Sequence, residues 1–281
     1  MLSILCGIST ALCWGMADFI GGANSRKVGP YGMTIGTIGC GLVLLLLSAP
    51  VLQVSPLPLS GWLICLLAGA FDAVGILLLY LSMTQGRLSL AAPVSALTAA
   101  ALPVLFGMFT QGIPGLQIVA GLTLALAAVW LVSQEHDDGS NAPIGLADLW
   151  LPLLSGSCLG TFLVLMHAGS GSALLWPMVA VRSGGVTALL LFMLTPFRSR
   201  LMPTAPLPWK IIAINALLDV GGNGAYILAG QFGRMDVAAV LSALYPGATV
   251  FMAWLLLKES ISRIQLIGIV TALGAIGLLA Q

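Results

Sequence analysis

Gly86-Arg87-Leu88-Ser89-Leu90-Ala91-Ala92-Pro93-Val94-Ser95-Ala96-Leu97 and Gly233-Arg234-Met235-Asp236-Val237-Ala238-Ala239-Val240-Leu241-Ser242-Ala243-Leu244 are one motif written twice. The offset between them carries residues 1–134 onto 148–281 without a gap. It pairs Pro30 with Pro177, Trp62 with Trp209, Asp72 with Asp219, Gly75 with Gly222 and Gly121 with Gly268. About 28 of these 134 pairs are identical, well above chance for so skewed a composition. An internal duplication is the simplest reading. It divides the chain into a first repeat, 1–134, a polar linker, 135–147, and a second repeat, 148–281.

The chain is 59% hydrophobic and only 7% charged, with a mean hydropathy of +1.08. A water-soluble surface needs far more charge, so this composition describes a polytopic membrane protein. A net charge of +1 gives no electrostatic footing for nucleic acid. The five cysteines all fall in apolar segments, which reads as small core residues rather than a disulfide framework or metal set. The first apolar stretch lacks a basic leader and carries Asp18, so it reads as a retained helix. No phosphate-cradling loop occurs, and no cofactor is expected.

A spanning helix needs about 20 mainly apolar residues. That ruler predicts ten spans: 2–22, 30–50, 60–83, 89–110 and 115–134, then 148–168, 176–196, 208–230, 236–257 and 263–280. Each repeat crosses the bilayer five times, an odd number, so the repeats must be inverted relative to one another, an organisation typical of transporters. The predicted fold is therefore all-α, with ten transmembrane helices as two inverted five-helix repeats. Even span count puts both termini on one side. Arg26, Lys27, Arg87, Arg198, Arg200, Lys210, Lys258 and Arg263 gather on the opposite side, against Arg234 alone on the terminal side. By the positive-inside rule, this places both termini outside the cytoplasm.

Three features carry a family likeness. The first helix holds Ala11-Leu12-Cys13-Trp14-Gly15, then Ala17-Asp18-Phe19 and Ser25-Arg26-Lys27. The junction after the ninth span reads Leu255-Leu256-Leu257-Lys258-Glu259-Ser260-Ile261-Ser262, then Gln265-Leu266-Ile267-Gly268. The third is the doubled five-helix organisation. Together these resemble the EamA family of the drug/metabolite transporter superfamily across nearly the whole chain. The resemblance implies a central cavity, secondary transport of small metabolites, usually export, and cytoplasmic termini, against the charge count. Glu259 matches the family's acid after the fourth helix of a repeat, whereas the first repeat has Gly112 there. The protein is expected to be integral to the cell (plasma or inner) membrane, with lipid and a small-molecule substrate as its partners.

An ionisable residue in the bilayer core costs at least about 2.5–3.5 kcal/mol, so each is a site hypothesis. Asp72 and Asp219 occupy the middles of the third and eighth spans and are repeat mates. Either they line the cavity and bind a cationic group or exchange protons, or they tie neighbouring helices together. Asp219 opens the run Asp219-Val220-Gly221-Gly222-Asn223-Gly224-Ala225-Tyr226, where Asp219, Asn223 and Tyr226 share a helix face. Glycines there leave the backbone approachable or unwound. Tyr80 lies two turns beyond Asp72 on a similar face. Asp18, one turn past Trp14, resembles the first-helix acid of the related small multidrug transporters in kind, though not in register; a helix-end acid near Arg26 and Lys27 is the plainer alternative. Arg182 is the one basic residue well inside a span and must pair, with Asp72, Asp219 or a substrate carboxylate as candidates, or snorkel to the interface. Tyr245, before Pro246, could offer its ring to a substrate.

The reading that joins these features is a secondary transporter working by alternating access, with efflux of amino acids or related compounds. Asp18, Asp72 and Asp219 are its candidate proton or cation sites; Trp14, Tyr80, Arg182, Asn223, Tyr226 and Tyr245 are its candidate substrate contacts. An enzyme is not expected: the two mid-span acids lack the Gly-x-Gly-Asp setting of an intramembrane aspartyl protease. A passive pore or a non-transporting subunit remains the alternative.

Overall fold

The computed structural model describes residues 1–52, 57–85, 88–132, 146–194, 205–252, 255 and 262–279. Residues 135–145 of the expected linker, the pair Gly86-Arg87, and Glu259 lie outside the described residues. The elements are α1 (Leu2–Val28), α2 (Pro30–Leu52), α3 (Leu59–Gln85), α4 (Leu88–Gln111), α5 (Leu116–Val132), α6 (Leu146–Ser170), α7 (Leu175–Phe192), α8 (Trp209–Phe232), α9 (Met235–Ser242), α10 (Tyr245–Met252) and α11 (Arg263–Leu279). No strand occurs among the described residues.

Seven of the described helices are long and apolar enough to cross a membrane. The shorter apolar helices α5 and α11 pack against each other. Leu47, Phe109, Leu217 and Leu273 stand largely exposed on the outer faces. Each large aliphatic side chain left in water forfeits about 1.5–3 kcal/mol of burial, so this surface calls for lipid around it.

Packing follows the duplication. α3 lies against α6, and its mate α8 lies against α1. α4 lies against α6, and the mate contact joins α9 and α10 to α1. α5 and α11, which are mates, meet each other. These reciprocal contacts are what a pseudo-two-fold axis relating two inverted repeats produces.

One reciprocal pair is unequal. α3 and α7 meet backbone to backbone, since a Cβ on Gly69 would overlap the Val181 carbonyl and one on Gly184 the Leu66 carbonyl. The mate contact, α2 with α8, carries Thr37 and Ala216 at the same positions and is held further apart by side chains. There Asn215 Nδ2 donates to Thr37 Oγ1 at 3.0 Å.

Where the ninth span was expected, the described residues form two short helices, α9 and α10, rather than one. Pro246 has no N–H to offer the Ser242 carbonyl, so the α-helical ladder stops at that point. Tighter bonds bridge the break: Leu244 N–H to the Leu241 carbonyl at 3.2 Å and Gly247 N–H to the Leu244 carbonyl at 2.9 Å. By contrast, the glycine-rich run of α8 stays helical throughout. Its glycines serve approach: a Cβ on Gly222 would overlap the Trp14 indole.

Candidate functional site

The mid-helix acids converge on one cation. Arg182 of α7 is buried, and its Nη1 lies 3.3 Å from Asp72 Oδ2 and 2.9 Å from Asp219 Oδ2. The first contact is a hydrogen bond. The second is a close ion pair without hydrogen-bond alignment, which leaves Asp219 Oδ2 short of a donor. Arg182 Nε and Nη2 are also buried without hydrogen-bond partners. Two carboxylates thus share one guanidinium nitrogen, and the triad carries a formal charge of −1. Of the partners open to Arg182 from sequence, the folded chain supplies both acids.

Against this triad lies a central cavity of about 70 Å3. That is room for roughly five water molecules, at about 10–15 Å3 of centre-accessible space for each. Asp18, Asp72 and Asp219 all line it, as do Trp14, Tyr80 and Tyr245. Arg182, Asn223 and Tyr226 do not. Arg182 sits behind the two acids, and the other two lie beneath the cavity floor, where they position Trp14. Trp14 Nε1 donates to Asn223 Oδ1 at 3.1 Å, and its ring stacks on Tyr226 at 5.8 Å. Phe162 packs at 6.5 Å from the same indole, and the Tyr226 hydroxyl donates to the Leu163 carbonyl at 3.4 Å.

From the mid-helix acids the cavity wall reaches toward one face. Thr34 and Thr37 at the start of α2, Tyr80 late in α3 and Asn215 early in α8 all line it, and all lie toward the membrane face opposite the chain termini. Toward the terminal face, Trp14, Phe162 and Tyr226 close the path with aromatic packing.

Asn215, Thr34, Thr37 and Ser242 belong to the cavity wall without having been singled out in the sequence. Asn215 was within reach of the pattern, one turn before Asp219 on the same helix face. The hydroxyl residues carry no such signal, since mid-helix Ser and Thr usually return their hydroxyl to the preceding turn. Thr34 does so to the Pro30 carbonyl and Ser242 to the Ala238 carbonyl. No cluster of His, Cys, Asp and Glu suited to a metal ion occurs among the described residues.

The model of the EamA-like transporter family matches residues 1–134 and again 145–281. The chain belongs to the EamA-like transporter family. In this EamA-like transporter each match takes in one of the two repeats. No curated protein matches the chain. A solved structure, described only as the crystal structure of a protein, aligns with a TM-score of 0.77. The alignment spans 99% of this chain and 96% of that one at 16% identity, a likeness of fold.

Proposed function

We propose that this membrane protein is a secondary active transporter of small metabolites, acting by alternating access in the cell membrane. The observation that carries the reading is the central cavity at the junction of the two repeats. Three carboxylates line it, and an aromatic floor closes it toward the termini. Inverted repeats offer two packings of similar energy, related by their pseudo-symmetry, and rocking between them exposes a central site to each side in turn. In the packing described, contact between α3 and α7 is close while that between α2 and α8 is loose. Exchanging these roles would open the opposite path. Export is the direction the family favours. Protons are the proposed coupling ion, with Asp18 the foremost carrier because Asp72 and Asp219 are engaged by Arg182.

The test compares wild type with Asp18→Asn at matched membrane levels, reading extracellular and intracellular metabolites by mass spectrometry. Asp18→Asn is preferred to the double replacement of Asp72 and Asp219, which would strand Arg182 in the core. A compound that moves outward with the wild type and not with the variant supports the proposal. No redistribution of any compound by the wild type refutes it.

A further inference from the structure

Within the transport reading, we infer that the cavity takes a small organic cation bearing N–H groups, an ammonium or guanidinium on a short hydrocarbon body, in preference to a zwitterionic amino acid. The charges facing the cavity are unbalanced. Asp18, Asp72 and Asp219 all line it. The Arg182 guanidinium does not line it: the side chain is 1% exposed, and its Nη1 is taken by two carboxylates. Asp18 has no hydrogen-bond or ion-pair partner among the described residues.

Two further wall residues point independently to a ligand. Asn215 is 1% exposed. It gives its Nδ2 to Thr37, which leaves Oδ1 buried with no donor. Tyr245 is 7% exposed, and its hydroxyl is buried with no partner. A buried acceptor left unpaired is costly, and a ligand N–H would satisfy it. Carboxylate oxygens and an amide oxygen together make a wall rich in acceptors. That is the complement of an ammonium or guanidinium, which carries only donors.

The rest of the wall is hydrocarbon, with Ile38, Ile76, Leu79, Ala96, Ala100 and Leu159 among its lining. It suits an alkyl chain of a few carbons. A substrate carboxylate would meet the carboxyl groups of Asp18, Asp72 and Asp219, with the Tyr80 and Tyr245 hydroxyls as the phenolic donors of the wall. Specificity of this kind rests on repulsion of the wrong ligand as much as attraction of the right one.

Butylamine and norvaline differ only by a carboxylate, and tetramethylammonium keeps the charge without any N–H. Calorimetric titration of the purified full chain with each probe, at one pH and ionic strength, tests the inference. Butylamine should bind at least about tenfold more tightly than either of the other two. Asp18→Asn should weaken butylamine binding by about tenfold or more, and Tyr245→Phe by a few-fold, while thermal unfolding of the ligand-free variants stays near wild type. Norvaline or tetramethylammonium binding as well as butylamine would overturn the inference. So would unchanged butylamine affinity in Asp18→Asn, or no binding of any probe. The transport reading fails separately: a zwitterion redistributed in cells would keep transport and sink the cation inference. Butylamine binding with no solute redistributed would do the reverse.

Discussion

Replacing Arg182 by methionine should destabilise the protein severely, and the geometry sets the size of the loss. Nη1 lies 3.3 Å from Asp72 Oδ2 and 2.9 Å from Asp219 Oδ2, in a site where the side chains are 1%, 5% and 9% exposed. At an effective dielectric of about 20, each contact supplies about 5 kcal/mol of attraction. Burying three charges costs several kcal/mol per ion, so the intact triad contributes little net stability. Removing the cation alone leaves the burial cost of two carboxylates without their compensation, a loss of about 3–5 kcal/mol. With about 2–4 °C of melting temperature per kcal/mol, Arg182→Met should unfold on the order of 10 °C below wild type in detergent. The discriminating control is Asp72→Leu/Arg182→Met/Asp219→Leu, which removes the charges together and should return to within a few degrees of wild type. An Arg182→Met variant melting within about 2 °C of wild type would refute the pairing. A triple variant as unstable as the single one would mean that packing, not charge, made the difference.

The aromatic floor and the helix break yield further expectations. Gly222→Ala places a methyl group against the Trp14 indole, and should cost about 1–3 kcal/mol by overpacking, read as a lower melting temperature. Gly39→Ala is its counterpart: no atom lies within 4 Å of the added methyl, and it should be neutral or stabilising by up to about 1 kcal/mol. Trp14→Phe removes the donor to Asn223 and should lose about 0.5–1.5 kcal/mol in the same melt. Pro246→Ala restores the N–H that could reach the Ser242 carbonyl; it should straighten the join of α9 and α10, raise the melting temperature and reduce metabolite redistribution.

Much of this molecule was legible as a linear pattern. The duplication, the ten apolar spans and the repeat-related pair Asp72 and Asp219 are properties of spacing and composition, which need no knowledge of neighbours. The break in the ninth span was half-legible, because Pro246 announces a disturbed helix but not where the chain bends. Helical periodicity also put Asp219, Asn223 and Tyr226 on one face. It could not tell which helix that face meets, and the three have different roles: Asp219 borders the cavity, while Asn223 and Tyr226 hold Trp14 from below.

What only the tertiary structure decided is the arrangement around Arg182 and the side on which the cavity lies. An isolated arginine in a span must find a counter-charge, and the sequence established that need. It left two acids and a substrate as candidates, because the separation between helices distant in the chain depends on how closely their backbones can approach. Gly69 and Gly184 bring α3 and α7 together, while Thr37 and Ala216 stand at the mate positions of α2 and α8. Those small differences in side-chain volume break the symmetry that the duplication supplied, and with it they leave an acceptor-lined cavity on one face and a packed aromatic floor on the other.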